Sequence, residues 1–158
     1  MIESERGHDS SCVYASSKLI KESGFILGLQ MMVGLPKDNE DKVIYTAKEF
    51  VKIKPHYVRI YPVLVIKDTK LEEQMLQGVY SPISVEDSIE IVKKIYLLLV
   101  QNKIKVIRIG LQATQEINEN ESVIAGPFHP AFGELVFSRL YRDYLEAFLI
   151  EHKIQESI

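Results

Sequence analysis

Three short apolar runs, 25–34, 57–66 and 104–112, set apart by long amphipathic stretches, place the strongest limit on how this chain folds. Each run is too short and too evenly apolar for a surface helix. Turn residues bound them: Gly24 before the first, Gly34-Leu35-Pro36 after it, and Pro55 before the second. The intervening stretches read as helices. Asp9 or Ser10 starts one that runs to Ser23, with Cys12, Ala15, Ser16 and Leu19 at helical spacing and Gly24 as the stop. Asn39 starts the next, which aligns Val43, Ala47, Phe50 and Val51 and ends where Pro55 forbids continuation. A short helix around Leu71 to Leu76 precedes a long one, opened by a capping box with the shorter carboxylate, Ser84-Val85-Glu86-Asp87, and carrying Val85, Ile89, Val92, Tyr96 and Leu99 on one face. A last helix starts near Pro130 and uses Val136, Leu140, Tyr144 and Phe148. Helical crossovers between neighbouring strands call for parallel pairing, so this order predicts an α/β fold.

Side chains alternate across a strand, and each run divides unevenly. Leu27, Leu29, Met31 and Val33 oppose Gly28, Gln30, Met32 and Gly34. Val58, Ile60, Pro62 and Leu64 oppose Arg59, Tyr61 and Val63, and Ile107, Ile109 and Leu111 oppose Val106, Arg108, Gly110 and Gln112. An open parallel sheet covered on both faces wants both sides apolar. A barrel-like wall instead packs helices outside and turns polar residues and small gaps inward, and the pattern favours that wall. Gly28, Gly34 and Gly110 then mark close approaches by a ligand or another backbone, with Gln30, Arg59, Arg108 and Gln112 as polar contacts. The alternative is that the glycines are bulges and the arginines solvated strand ends.

A polar loop from Thr114 to His129 ends in Gly126-Pro127-Phe128-His129-Pro130-Ala131-Phe132-Gly133-Glu134. Aromatics, a histidine and a carboxylate stand there at the C-terminal end of a strand, where barrels place substrates. The preferred reading is plainer: Phe128 and Phe132 plug the end of the barrel and His129 caps the last helix.

Composition excludes several classes. The 158 residues suit one domain, 1–158, with no linker or repeat dividing it. No apolar run approaches the roughly 20 residues of a bilayer span, and Met1-Ile2-Glu3-Ser4-Glu5-Arg6 lacks the basic start and apolar core of a secretory signal, which points to a cytoplasmic protein. Nineteen Lys+Arg against 22 Asp+Glu give a net charge of -3, which argues against binding DNA or an anionic membrane. Cys12 is the sole cysteine, so no internal disulfide forms and no multi-thiolate site for zinc or iron–sulfur exists. His8 and Cys12 lie four apart, but two ligands do not make a site, and His56, His129 and His152 show no ligand spacing. No metal site is expected, and Cys12 reads as a buried, unpaired thiol. Phosphate loops, a Gly-x-Ser-x-Gly elbow and a Gly-x-Gly-x-x-Gly turn are missing.

Arg6-Gly7-His8, Gly24-Phe25, Leu29-Gln30-Met31-Met32-Val33-Gly34-Leu35-Pro36 and the stretch from Val58 to Leu71 together resemble the later part of the radical S-adenosylmethionine (SAM) barrel. The subgroup is that of oxygen-independent coproporphyrinogen oxidase-like and Elongator-protein-3-like iron–sulfur oxidoreductases. Ile109-Gly110-Leu111-Gln112 and the 126–134 loop look like the end of the same subgroup, so the resemblance covers Arg6 to about Arg142. It implies a partial parallel (β/α) barrel, half of a TIM-like barrel, with a C-terminal helix. It also implies that Arg6 holds the SAM carboxylate, Gln30 faces the ribose, and Gly34, Tyr61, Pro62 and Val63 border the cofactor; the strand-face split and the 126–134 loop put Arg59, Arg108, Gln112 and His129 toward substrate. Many coproporphyrinogen oxidases have Asp where Gln30 stands.

The family's Cys-x-x-x-Cys-x-x-Cys loop, which binds the [4Fe–4S] cluster, and the strands around it are not in this sequence. The resemblance therefore implies the SAM- and substrate-facing C-terminal part of an oxidoreductase, inactive without the N-terminal barrel half. Its expected partners are that half or a second copy, and a small-molecule or RNA substrate. The competing reading is a non-catalytic binding or assembly domain.

Overall fold

The computed structural model describes residues 7–111 and 122–152. Along the chain run α1 (Ser10–Glu22), β1 (Gly28–Val33), α2 (Glu40–Ile53), β2 (Tyr57–Pro62), β3 (Val65–Ile66), α3 (Lys70–Leu76), α4 (Val85–Gln101), β4 (Lys105–Ile109), β5 (Val123–Ala125) and α5 (Phe132–Glu151). Local chemistry fixes most helix starts. The side chains of Asp9, Asn39, Thr69 and Ser84 each accept a hydrogen bond from a backbone N–H in the first turn, satisfying donors that a helix leaves unpaired. Ser84 Oγ also donates to Asp87 Oδ2 at 2.8 Å, so the Asp87 carboxylate closes on the cap hydroxyl. Helix α2 ends in Lys54, at φ 54°, immediately before Pro55.

β1, β2 and β4 form one sheet in the order β1-β2-β4, and both pairs are parallel, as the helical crossovers require. Met31 and Val33 of β1 and Val58 and Ile60 of β2 point into the core. They meet Val43, Ala47 and Phe50 of α2, the Ile89–Leu99 face of α4, and Phe132 and Val136 of α5. All three helices therefore cover one side of the sheet, and Leu29, Ile60 and Ile109 lie on that side.

Several expectations change. The first run is shorter than 25–34, because Phe25 and Ile26 are exposed ahead of β1. The run 57–66 divides: β2 stops at Pro62, and β3 pairs antiparallel with β5 as a separate ribbon. β5 lies inside the segment read as loop. In β4 the register shifts opposite Val58 and Arg59, so Val106 pairs with Val58 and Arg108 with Arg59. Ile107 is the extra residue and is exposed, while Val106 packs on the core, the reverse of the alternation. The 104–112 run contributes only Lys105–Ile109 as strand, and Gln112 lies outside the described residues. Cys12 is exposed rather than buried, and the one buried residue of α1 is Ser17, not a member of the Cys12–Leu19 stripe. Tyr144 and Phe148 of α5 are exposed rather than part of the core.

Candidate functional site

The face of the parallel sheet opposite the helices carries the polar row. Gln30 pairs with Arg59 and Arg59 with Arg108, so the three side chains stand side by side, about 4.8 Å apart from strand to strand. All three are exposed. Tyr57 and Tyr61 share this face of the central strand by alternation, giving Tyr57-Arg59-Tyr61 as an aromatic, basic, aromatic sequence. Arg59 and Arg108 thus set two guanidinium groups in direct register on this face. The sequence reading named Arg59 and Tyr61 but missed Tyr57, whose two-residue spacing from Arg59 was the available signal.

The three glycines are filled by the chain itself. A Cβ at Gly28 would lie 2.2 Å from Tyr57 Cε2, because the phenol ring of its strand partner lies across it. Gly34 faces Ile83, and Gly110, at φ 82°, backs onto the buried Phe132. These positions are close-packed approaches of protein on protein.

Gly34 is also gripped from two directions. Its N–H donates to Asp38 Oδ2 at 3.2 Å, and its carbonyl accepts the Tyr80 hydroxyl at 2.7 Å. Burial, then the nearby Asp38 charge, pushes the Tyr80 phenol up to about 12. Burial also raises the Asp38 carboxyl, against the lowering effect of the Gly34 N–H. Sequence reading found neither residue, since they come together from positions 38 and 80 only through the fold.

Two cavities flank this loop. One of about 600 Å³ lies between α1, β1 and α2, with Val13, Met31, Phe50 and Ile53 among its apolar lining and Gln30, Asp38 and Lys42 among its polar groups. The Tyr14 hydroxyl bonds to Glu49, and Lys21 Nζ donates to the Ile53 carbonyl at 2.8 Å; these two contacts tie α1 to α2. The second cavity, about 320 Å³, lies at the C-terminal ends of β1 and β2, between Met32, Leu35, Pro36 and Val63 on one side and Thr69 and Leu71 on the other.

The structure thus brings together Gln30, Arg59, Arg108 and Tyr61 on one face, and sets Val63 and the Gly34-Leu35-Pro36 turn at its C-terminal end. Pro62 is buried in the sheet and points away from that face. His129 is exposed; its Nδ1 accepts from the Ala131 N–H at 3.1 Å, just ahead of α5, but α5 has no side-chain cap, so the expected capping by His129 is not seen; Phe128 and Phe132 are buried. Arg6 and Gln112 lie outside the described residues. No group of three His, Cys, Asp or Glu suited to a metal occurs among the described residues, and no helix among them is long and apolar enough to cross a membrane.

A parallel sheet covered by helices on one face and polar on the other defines a mixed α/β fold. Residues 55–142 match the Radical_SAM C-terminal domain, and the chain belongs to that family. It is 33% identical over 141 residues to the Elongator complex protein 3 of Bos taurus, an alignment covering 87% of this chain and 25% of that one. To the tRNA uridine(34) acetyltransferase of Methanocaldococcus jannaschii it is 34% identical over 91 residues, 56% of this chain and 17% of the relative. The solved structure of the archaeal Methanocaldococcus infernus Elp3 with an N-terminal deletion superposes with a TM-score of 0.73 at 25% identity, over 89% of this chain and 32% of the other. The chain therefore spans about a quarter of the bovine protein's length.

Proposed function

We propose that this chain forms the SAM- and substrate-facing C-terminal part of a radical SAM iron–sulfur oxidoreductase and is inactive without the cluster-binding half. The observation that carries the reading is the Gln30–Arg59–Arg108 row on the face of a parallel sheet opposite its helices. In the complete family enzyme, SAM and a [4Fe–4S] cluster supply the redox chemistry. The residues present do not fit the cluster: a [4Fe–4S] site is held by cysteine thiolates, and the one cysteine, Cys12, is exposed on α1. They do fit a nucleoside with an anionic group. The Arg59 guanidinium offers donors for an anionic group, the Gln30 amide offers a donor and an acceptor for ribose hydroxyls, and Tyr61 offers an aromatic face. Arg6 completes the carboxylate contact in this reading.

The same stripe suits an RNA base and its phosphate, since exposed aromatics on a sheet stack bases while arginines hold the backbone. Relatives named as tRNA uridine(34) acetyltransferases make RNA the favoured substrate class over a small molecule.

A cluster-binding half has a place to dock. β1 is an edge strand, and the larger cavity lies along it, beneath α1. The two crossovers in the sheet each advance one strand position. A right-handed crossover through α1 would put a strand supplied by the cluster-binding half on the outer edge of β1. An assembly domain without catalysis would use this edge too, so the open face decides between the readings. Titration of the isotope-labelled chain with SAM, to about 5 mM for a contact set worth only some 4 kcal/mol, is the test. The expected result is amide shifts at Gln30, Met32, Arg59 and Tyr61, weakened severalfold by Arg59→Ala. Shifts confined to the helices, or none, would refute the site.

A further inference from the structure

Helix α5 is twenty residues long, yet it buries only Phe132 and Val136, both in its first two turns. Beyond them Phe137, Tyr141, Tyr144 and Phe148 recur at spacings of four, three and four, the interval of a helix–helix seam. Tyr141 and Tyr144 are each 68% exposed, and Leu145 and Ile150 are also open. The salt-bridged side of α5 is a different one: Arg139 pairs with Glu90 of α4, and Asp143 with Lys93. Among the described residues the aromatic stripe therefore lies beside the packed face, and its ring contacts are the edge contact of Phe137 with Tyr96 and the stacking of Phe148 on His152 at the end of the same helix. A helix half with nothing buried is marginal in water, because helical stability comes mostly from tertiary packing of an apolar face.

We propose that this stripe is the self-association surface of the chain, two α5 helices packing antiparallel across a two-fold axis near residues 142 and 143. Charge argues against a membrane or nucleic acid as the occupant: α5 carries Arg139 and Arg142 against Glu134, Asp143, Glu146 and Glu151. Area argues for a second copy. At the observed exposures the four aromatic rings alone offer roughly 400 Å² per copy, taking about 200 Å² for a whole aromatic side chain. With the exposed aliphatic side chains included, two copies face to face remove about 1,000 Å² or more, the lower bound of a specific interface. Tyrosine and phenylalanine are also the residues that interface centres favour. A two-fold axis matches the stripe to itself, so one sequence feature serves both sides. The inference stands on α5 and does not depend on the SAM reading.

The experiment is light scattering on the full chain under reductant, so that Cys12 does not cross-link, at about 50 µM, where an interface of this class is populated. A mass of twice 18.1 kDa is expected, falling to the monomer in Tyr141→Glu/Leu145→Glu with an unchanged far-ultraviolet spectrum. A second variant guards against misfolding: Tyr144→Cys in a Cys12→Ser background should cross-link to itself with a short bismaleimide, and Gln30→Cys in that background should not. A wild-type monomer would overturn the proposal, and so would a dimer that survives the double substitution or cross-links through Gln30→Cys, which would move the contact to the strand edge.

Discussion

Replacing Tyr80 with phenylalanine removes one oxygen and tests how the turn after β1 is held. The hydroxyl donates to the Gly34 carbonyl at 2.7 Å, and the side chain is only 7% exposed. Loss of the donor leaves that carbonyl short of a partner, so Tyr80→Phe should cost about 1–2 kcal/mol at neutral pH. The pH dependence makes the test specific. The phenol is raised from 10.0 to about 12 in the folded chain, so the native state favours the protonated form. That stabilisation is complete below pH 10 and is lost as pH rises through 12, because the unfolded chain ionises first. By pH 11 wild type should have lost about 1 kcal/mol that the phenylalanine variant never had. Tyr14, raised to about 12 chiefly by its bond to Glu49, titrates in both proteins and cancels. Urea unfolding of both at pH 7.5 and pH 11 should therefore show the gap narrowing. No gap at neutral pH, or one that widens at pH 11, would refute the clamp.

Gly110→Ala should cost about 2–4 kcal/mol, since it forces an L side chain to φ 82° and sets its Cβ 2.8 Å from Phe132 Cβ; thermal melting reads it. Gly28→Ala should be poorly tolerated alone and recover when combined with Tyr57→Ala, because the clash is with the Tyr57 ring; a chemical-denaturation double-mutant cycle measures the coupling. Ser84→Ala should cost about 1 kcal/mol by removing the N-cap of α4, seen as a lower urea midpoint at constant slope.

The parallel sheet and its helix order were legible because the signals are local. Asn39, Ser84, Gly24 and Pro55 mark ends by their own chemistry, and Val43, Ala47 and Phe50 are spaced for one stripe. The polar row was legible for the same reason, as alternation alone puts Arg59 opposite Ile60. What failed needed information from elsewhere in the chain. Nothing near Ile107 announces the register shift that turns it outward. β3 and β5 are two and three residues long and exist only as each other's partners. Periodicity identified the apolar side of α5 but not whether anything covers it, which is why Tyr144 and Phe148 were placed in the core. Tyr80 and Asp38 meet at Gly34 only in three dimensions.

On the proposed function, this chain carries the cofactor- and substrate-facing surface of a radical SAM enzyme without the thiolates that hold its cluster. Anaerobic reconstitution of the purified chain with iron and sulfide, followed by dithionite and SAM, tests it most directly. The account predicts no stable iron–sulfur absorbance and no 5′-deoxyadenosine, since one exposed thiol does not supply the cysteine ligands that such a cluster needs. A stable cluster together with 5′-deoxyadenosine from this chain alone would contradict it.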